Sequence, residues 1–284
     1  MNKAIMAKVA DSDRAALVDF MQDHAPSMMF PLTNLNRYGL GGAHPRSINA
    51  WVRKENGSIT DVLAISQEGM VFPCCPTAPW HAAAAVTRDI AIKGFIGDGH
   101  QVANLRHAMG ITQKAELDAT EPAFLLRIAD MVLPQTQGYS LHPLSAAPYE
   151  LIVEWRAAYE TETLAVPVAA ARARAEKQIQ TFITTDSHRV LFKDGAPVAM
   201  TGFNASLPEI VQIGGVYTPP AHRSQGFART ALALHLQEVS VDGVTEAVLS
   251  AANEAAARAY IAIGFQQTGS FALVVYDKLQ VSHG

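Results

Sequence analysis

Residues 213–265 read IGGVYTPPAHRSQGFARTALALHLQEVSVDGVTEAVLSAANEAAARAYIAIGF. The apolar run Ile210–Tyr217 predicts a strand. Pro219 and Pro220 end it, because each removes a backbone donor and restricts the residue before it. A glycine-containing basic loop follows, then helical spacing from Gln225 to Val239. Ala247–Ser250 predicts a further strand. Asn253 is placed to cap a helix running to about Ile263, and Gly264 is placed to stop it. A loop of this kind can hold an anion. Gly226 lets the backbone pass close to a bulky group, and the first amides of the helix point outward without partners. Arg223 adds positive charge beside them. Neither Gly-Lys-Ser nor Gly-Lys-Thr occurs here, and the GxGxxG dinucleotide fingerprint is absent.

The remaining chain sets bounds on what this loop serves. With 284 residues there is length for two domains, and 49% hydrophobic against 17% charged residues describes a folded protein. A formal net charge of -4 supplies no basic excess for a nucleic-acid backbone. Cys74 and Cys75 are adjacent, a poor spacing for metal ligands and too few for a disulfide framework. No metal is expected. Charges run through the apolar positions of the first 21 residues, unlike a signal peptide, and no stretch reaches 18 uninterrupted apolar residues. A cytoplasmic location without membrane contact is expected.

The first half is mixed α/β. Helices are expected over Asp11–Gln22 and Gln101–Met109, and strands over Ser58–Ser66, Gly69–Pro73 and Ala91–Ile96. Ala25–His44 is expected to be irregular or short helical. Periodicity leaves Ala78–Thr87 and Leu117–Leu133 open between helix and strand. Pro134–Pro148 is the expected junction, dividing the chain into 1–135 and 136–284. The second part opens with a strand at Tyr139–Leu141 and helices over Pro148–Thr163 and Pro167–Thr181. Asp194-Gly195 turns a hairpin between His188–Lys193 and Ala196–Asn204. Gln266–Thr268 and Ala272–Tyr276 are expected to close it as a pair around Gly269-Ser270. The order predicts an α/β (α+β) fold with a mixed, largely antiparallel sheet flanked by helices, in two domains.

At Arg223-Ser224-Gln225-Gly226-Phe227-Ala228 the second domain resembles the GCN5-related N-acetyltransferase (GNAT) superfamily, whose pyrophosphate loop is (Gln/Arg)-x-x-Gly-x-(Gly/Ala). The resemblance covers roughly Tyr139–Lys278 and is sharpened by Asn253, Tyr260 and Gly264-Phe265 at similar distances. It implies acetyl-CoA as co-substrate, held by Arg223, Ser224, Gln225, Gly226, Phe227 and Ala228. It also implies backbone contacts from Val216 and Thr218, a pantetheine contact from Asn253, and Tyr260 as the acid that protonates the departing thiolate. Gly214-Gly215 suits a bulge in the strand before the loop. The first half loosely echoes the same unit without the loop. This resembles tandem acetyltransferases in which one domain keeps the cofactor loop and the other shapes the acceptor cleft.

Acetyl transfer to an amine also needs a base. Candidate carboxylates are Glu209, which opens the strand expected to face the acetyl group, and Glu162, with Glu154 and Glu160. Trp155, Tyr159 and Glu162 fall near one helical face, with Glu160 displaced. His188 is a further candidate that equally well opens a strand. The leading expectation is an acetyl-CoA-dependent N-acetyltransferase acting on a primary amine of a small molecule by direct attack. The alternatives are a non-catalytic CoA-binding or sensing protein, and an acetyltransferase of protein lysines or N-termini. The oligomeric state is left open.

Overall fold

The structure, a computed structural model, describes residues 5–281. The chain forms two compact units, one of Met1–Pro122 with Gly269–Gly284 and the other of Ala123–Thr268. Their element orders are the same. The first run is β1 (Ala7–Lys8), α1 (Arg14–Asp23), α2 (Ala25–Tyr38), β2 (Ile48–Glu55), β3 (Ser58–Ser66), β4 (Met70–Cys74), α3 (Trp80–Val86), β5 (Ile92–Asp98), α4 (Gly99–Ala108) and β6 (Leu117–Arg127). The second is β7 (Tyr139–Pro143), α5 (Tyr149–Leu164), α6 (Val168–Thr184), β8 (His188–Lys193), β9 (Ala196–Ser206), β10 (Ile210–Tyr217), α7 (Phe227–Ser240), β11 (Glu246–Ser250), α8 (Glu254–Ile261) and β12 (Gln266–Gln280).

The pairings repeat too. In the first unit β1, β2, β3 and β4 are successive antiparallel neighbours, β4 and β5 are parallel, and β12 lies antiparallel to β5. In the second, β7, β8, β9 and β10 are antiparallel, β10 and β11 are parallel, and β6 lies antiparallel to β11. The last strand of each run thus serves the other unit's sheet. Ala123–Arg127 of β6 ladders with Ser250–Glu246. Phe271–Val275 of β12 ladders with Asp98–Gly94. This moves the compact division to 122/123 and 268/269, away from the expected 135/136. Hydrogen-bonded ladders, rather than the Pro-rich stretch, set where each unit ends.

Three local expectations change. Ala25–Tyr38 is one continuous α-helix with Pro31 inside it. An interior proline costs roughly 3 kcal/mol. Met28, Met29, Leu32 and Leu35 are all buried on this helix, and each buried apolar side chain contributes about 1.5–3 kcal/mol. Burial therefore outweighs the lost hydrogen bond. Gln266–Gln280 is a single strand rather than a pair, since Gly269 and Ser270 continue into the ladder with β5 instead of turning. Strand β2 was not expected. Its hairpin with β3 turns at Asn56-Gly57, both at positive φ (50° and 85°), the same chemistry as Asp194-Gly195 (51° and 82°).

Each unit has its own apolar core. Leu63, Ile65, Phe95, Val102, Leu105 and Tyr276 are central to the first. Phe124, Leu126, Leu232, Leu236, Leu249 and Phe265 are central to the second. The second unit also buries two histidines. His235 stacks on Phe203 at 3.9 Å and His188 on Phe182 at 3.6 Å. Burial, followed by the Arg189 charge, pulls His235 down to about 3. His188 is likewise held well below its usual value, by burial first and then by Arg156, His235 and Arg189.

The folded state therefore keeps both rings neutral, while the unfolded chain protonates them near pH 6.5. Stability is fully present above that value and falls with pH below it, toward about pH 3 for His235. Each histidine contributes a slope of up to about 1.4 kcal/mol per pH unit. Urea midpoints measured from pH 7.5 to 4.5 should fall steadily, and His235→Leu should flatten that fall.

Candidate active site

The geometry of the site starts from a break in the sheet. The parallel ladder between β10 and β11 runs from Ile210↔Glu246 to Gln212↔Val248 and stops there, although both strands continue. On its other side β10 changes register against β9 after Gln212 and again between Gly214 and Tyr217. Gly215 has φ +64°, a left-handed value that a side chain rarely adopts. Gly214 is also required, because a Cβ there would fall 2.1 Å from the Asn204 amide. The Gly214-Gly215 bulge turns the end of β10 away from β11, leaving an opening beside Val216, Tyr217 and Thr218.

Beyond that opening the chain forms the basic loop. Ser224 (φ +64°) and Gly226 (φ +82°) are both left-handed, and Gly226 is the N-cap of α7. The first bond within α7 is Thr230 N to the Gly226 carbonyl at 3.1 Å. The amides of Phe227, Ala228 and Arg229 precede it and have no partner within the helix. Turn and helix start together make an anion cradle. Phe227 itself is buried and packs edge-on against Tyr139 at 6.0 Å.

A cavity of about 530 Å³ joins these parts. Val216 and Thr218 line it from β10, and Arg223, Ser224, Gly226, Phe227 and Ala228 from the loop. Asn253 and Tyr260 line it from α8. Gln225 is exposed and does not line the cavity. Asn253 Oδ1 accepts the Ala256 amide at 2.9 Å, so the expected N-cap is present. Tyr260 is buried two turns further on, with its ring 6.0 Å from that of Phe265. Arg229 and Arg258 also line the cavity. With Arg223 they set three cations against one carboxylate, Glu162. Arg229 was legible in the sequence as the third residue of the helix after the loop, whereas Arg258 reaches the cavity only through the placement of α8.

The candidate bases separate clearly. Glu162 lines the cavity, with both oxygens engaged: Arg223 Nη2 donates at 2.6 Å and the Tyr217 hydroxyl at 3.0 Å. Burial first, then Glu162, pushes the Tyr217 hydroxyl up to about 12, so it remains a donor. Arg223 Nε donates to the Thr218 carbonyl at 3.0 Å, which already occupies that acceptor. Thr218 Oγ1 is buried with no partner among the described residues. Glu209 is a correction. It is exposed at the opposite end of β10, seven residues from Val216 or about 23 Å along a strand. Its carbonyl accepts the Thr245 and Glu246 amides, which fixes it beside the start of β11. Glu160 is buried in an ion pair with Arg156 (2.5 Å) and Arg174 (2.7 Å). Glu154 is exposed outside the cavity.

The first unit has the corresponding loop between β4 and α3, and its own side chains occupy it. The Thr77 amide donates to Asp61 Oδ1 at 2.9 Å and the Cys75 amide to Gln101 Oε1 at 2.6 Å. Asp61 is fully buried and is paired with Arg53 at 3.3 Å. An internal carboxylate thus sits where the second unit presents open amides. Cys74 and Cys75 are buried, and burial raises both thiols. Among the described residues no cluster of His, Cys, Asp and Glu is arranged for a metal. No described helix is long and apolar enough to cross a membrane.

Residues 149–265 match the model of the acetyltransferase (GNAT) family. No curated protein sequence matches the chain. Among solved structures, a tandem GNAT protein from the clavulanic acid biosynthesis pathway is 17% identical, covering 95% of this chain and 97% of its own, with a TM-score of 0.54. A GNAT-family acetyltransferase from Colwellia psychrerythraea is 10% identical over 96% and 99% of the two chains, with a TM-score of 0.54. A Drosophila protein is 10% identical over 96% and 98%, with a TM-score of 0.64. At such identities the likeness is one of fold. Over residues 149–265 the second unit is similar to the GNAT acetyltransferase family, and the chain shares its fold with these GNAT structures.

Two substitutions test this local architecture. Asn253→Ala should cost about 1 kcal/mol through the lost cap. Gly226→Ala should cost roughly 1–2 kcal/mol through the left-handed backbone, since its Cβ also meets Arg229 Nε at 3.1 Å. Urea denaturation measures both.

Proposed function

We propose that the second unit transfers the acetyl group of acetyl-CoA to a primary amine of a small molecule, by direct attack. The observation that carries this reading is one continuous cavity. It runs from the amide cradle at Ser224–Ala228, past Arg223, Arg229 and Arg258, to the opened end of β10 at Val216–Thr218 and to Tyr260. Fit to a phosphorylated thioester is supported by the cationic, amide-rich end and by the orphaned, buried Thr218 Oγ1. When bound, acetyl-CoA supplies the activated acetyl group.

This chain's residues have distinct tasks in that reading. The amides of Phe227, Ala228 and Arg229 orient phosphate oxygens, and the three arginines offset their charge. Once phosphate competes for Arg223, Glu162 keeps the Tyr217 hydroxyl as its partner. The backbone amide of Val216 lies on the unladdered part of β10, where a donor can polarise a carbonyl oxygen. Tyr260 supplies a proton to the leaving sulfur. Asn253 keeps α8, and hence Tyr260, in register with the opening.

A second reading, a CoA-binding protein without transfer, draws on one observation: Glu209 is remote and Glu162 is engaged by Arg223 and Tyr217. Calorimetry with acetyl-CoA should give one site per chain, since the loop of the first unit is filled. Gly226→Val should abolish that heat. Tyr260→Phe should preserve cofactor affinity and lower turnover by about 10²-fold, the lower range for a lost proton donor. Absence of heat in the wild type would sink the cofactor assignment. Binding without transfer to any amine in a broad panel would favour the second reading.

A further inference from the structure

The cavity of the second unit has two ends of opposite charge. At one stand the amides that open α7, with Arg223, Arg229 and Arg258. At the other stands the last turn of α5, where Glu162 and Thr163 reach the cavity. Glu162 is the one carboxylate among the described residues that line it. A helix carries partial negative charge at its C-terminus, and its last carbonyls have no partner inside the helix. The last turn of α5 holds no basic residue. A carboxylate placed there adds charge of the same sign, so this end of the cavity requires a cation from outside the helix.

In the structure that cation is Arg223. Its Nη2 donates to Glu162 Oε2 at 2.6 Å, while the Tyr217 hydroxyl donates to Oε1 at 3.0 Å. The Arg223 guanidinium carbon also lies 5.6 Å from the centre of the Tyr217 ring. Carboxylate, helix end and aromatic ring are thus gathered about one positive group. The ion pair is open to exchange. The Arg223 and Glu162 side chains are 47% and 42% exposed, and pairs so exposed contribute little in water. The other anchor of Arg223, from Nε to the Thr218 carbonyl at 3.0 Å, is exposed as well. Tyr217 differs, because it is buried and its hydroxyl stays protonated beside the carboxylate. Of the two partners of Glu162, Arg223 is therefore the one that leaves. A diphosphate seated on the open amides of α7 offers it more charge and more acceptor oxygens than a single carboxylate does.

We propose that Glu162 determines acceptor specificity: when the phosphates of acetyl-CoA draw Arg223 away, Glu162 and the Tyr217 ring take a cationic group of the acceptor in its place. This rests on the acetyl-transfer reading above. The reacting nitrogen has to be neutral to attack, and a carboxylate beside an ammonium holds the proton on it. The group at Glu162 is therefore a second one. The acceptor class is an amine that carries a further positive charge, such as a diamine. Glu162 touches no reacting atom in this scheme. The two ligands assist each other through the shared pair, since the cofactor uncovers the cation site and the acceptor keeps Glu162 from reclaiming Arg223. Linkage makes the gain in affinity the same in both directions.

Calorimetry on the full chain tests this with 1,4-diaminobutane, using CoA in place of acetyl-CoA so that no transfer occurs. Saturating CoA should tighten diamine binding by about fivefold or more. Independent binding, or persistence of the gain in Glu162→Gln, overturns the proposal. Without amine, Glu162→Gln should bind CoA up to about fivefold more tightly, because Arg223 is free; unchanged or weaker binding overturns it. Arg223→Ala should bind the diamine without CoA as tightly as the CoA-saturated wild type does, and wild-type affinity there overturns it. In turnover, the best of a series from 1,3-diaminopropane to 1,6-diaminohexane should exceed butylamine by about tenfold in kcat/KM. Glu162→Gln should erase that preference with kcat held. Absence of the preference, or a fall in kcat for both kinds of amine, overturns the assignment. If the wild type binds no CoA, the acetyl-transfer reading fails, and Arg223→Ala still decides whether Glu162 forms a cation site.

Discussion

The second unit depends on one backbone constraint, the bulge at Gly214-Gly215. A parallel ladder between β10 and β11 would otherwise continue past Gln212↔Val248 and close the sheet. Two glycines prevent this. Gly215 adopts a left-handed φ, and Gly214 leaves room for Asn204. The strand end swings free, its outer edge loses its ladder, and the cavity opens there. On the face toward α5 and α6, the same bulge meets His188 and Arg156. One local distortion therefore opens the end of β10 and borders a buried imidazole.

The repeated element order shows how the same framework leaves its loop amides open or fills them. In both units a parallel pair of strands separates after two or three residues, and a loop then enters a helix. In the second unit the loop amides face a cavity edged with arginines. In the first, Asp61 and Gln101 have taken the amides of Thr77 and Cys75. A buried carboxylate with backbone N–H partners and Arg53 beside it is satisfied in place, and its charge opposes any second anion. The difference lies in which side chains fill the opening rather than in topology.

Much of the second unit was legible in the sequence because its signals are local. Asp194-Gly195, Gly226, Asn253 and Gly264 act through their own φ or through a bond two or three residues away. The strands and helices from Tyr139 to Phe265 follow closely from these stops and starts. The first half was less legible. Ala25–Tyr38 is helical because four buried side chains outweigh Pro31, and this burial is invisible without the neighbours it packs on. The Asn56-Gly57 hairpin carried a readable turn signal that was missed, and strand β2 with it. Glu209 was misjudged because its position at the start of β10 says nothing about which end of the strand meets the cavity.

By itself the sequence determined the strand–loop–helix order of the second unit, the left-handed glycine at the start of α7, the cap at Asn253 and the placement of Tyr260 one helix later. These are short-range matters of φ, caps and periodicity. Tertiary structure alone decided which residues face the cavity. It joined Glu162 to Arg223 and Tyr217, removed Glu209, and set His188 against Gly215 across two strands. It also exchanged the last strand of each repeat, because edge hydrogen bonds are satisfied wherever a matching ladder is available, regardless of distance along the chain. Proximity in the sheet, which no spacing in the chain encodes, is what sets a histidine from the start of β8 against the bulge of β10.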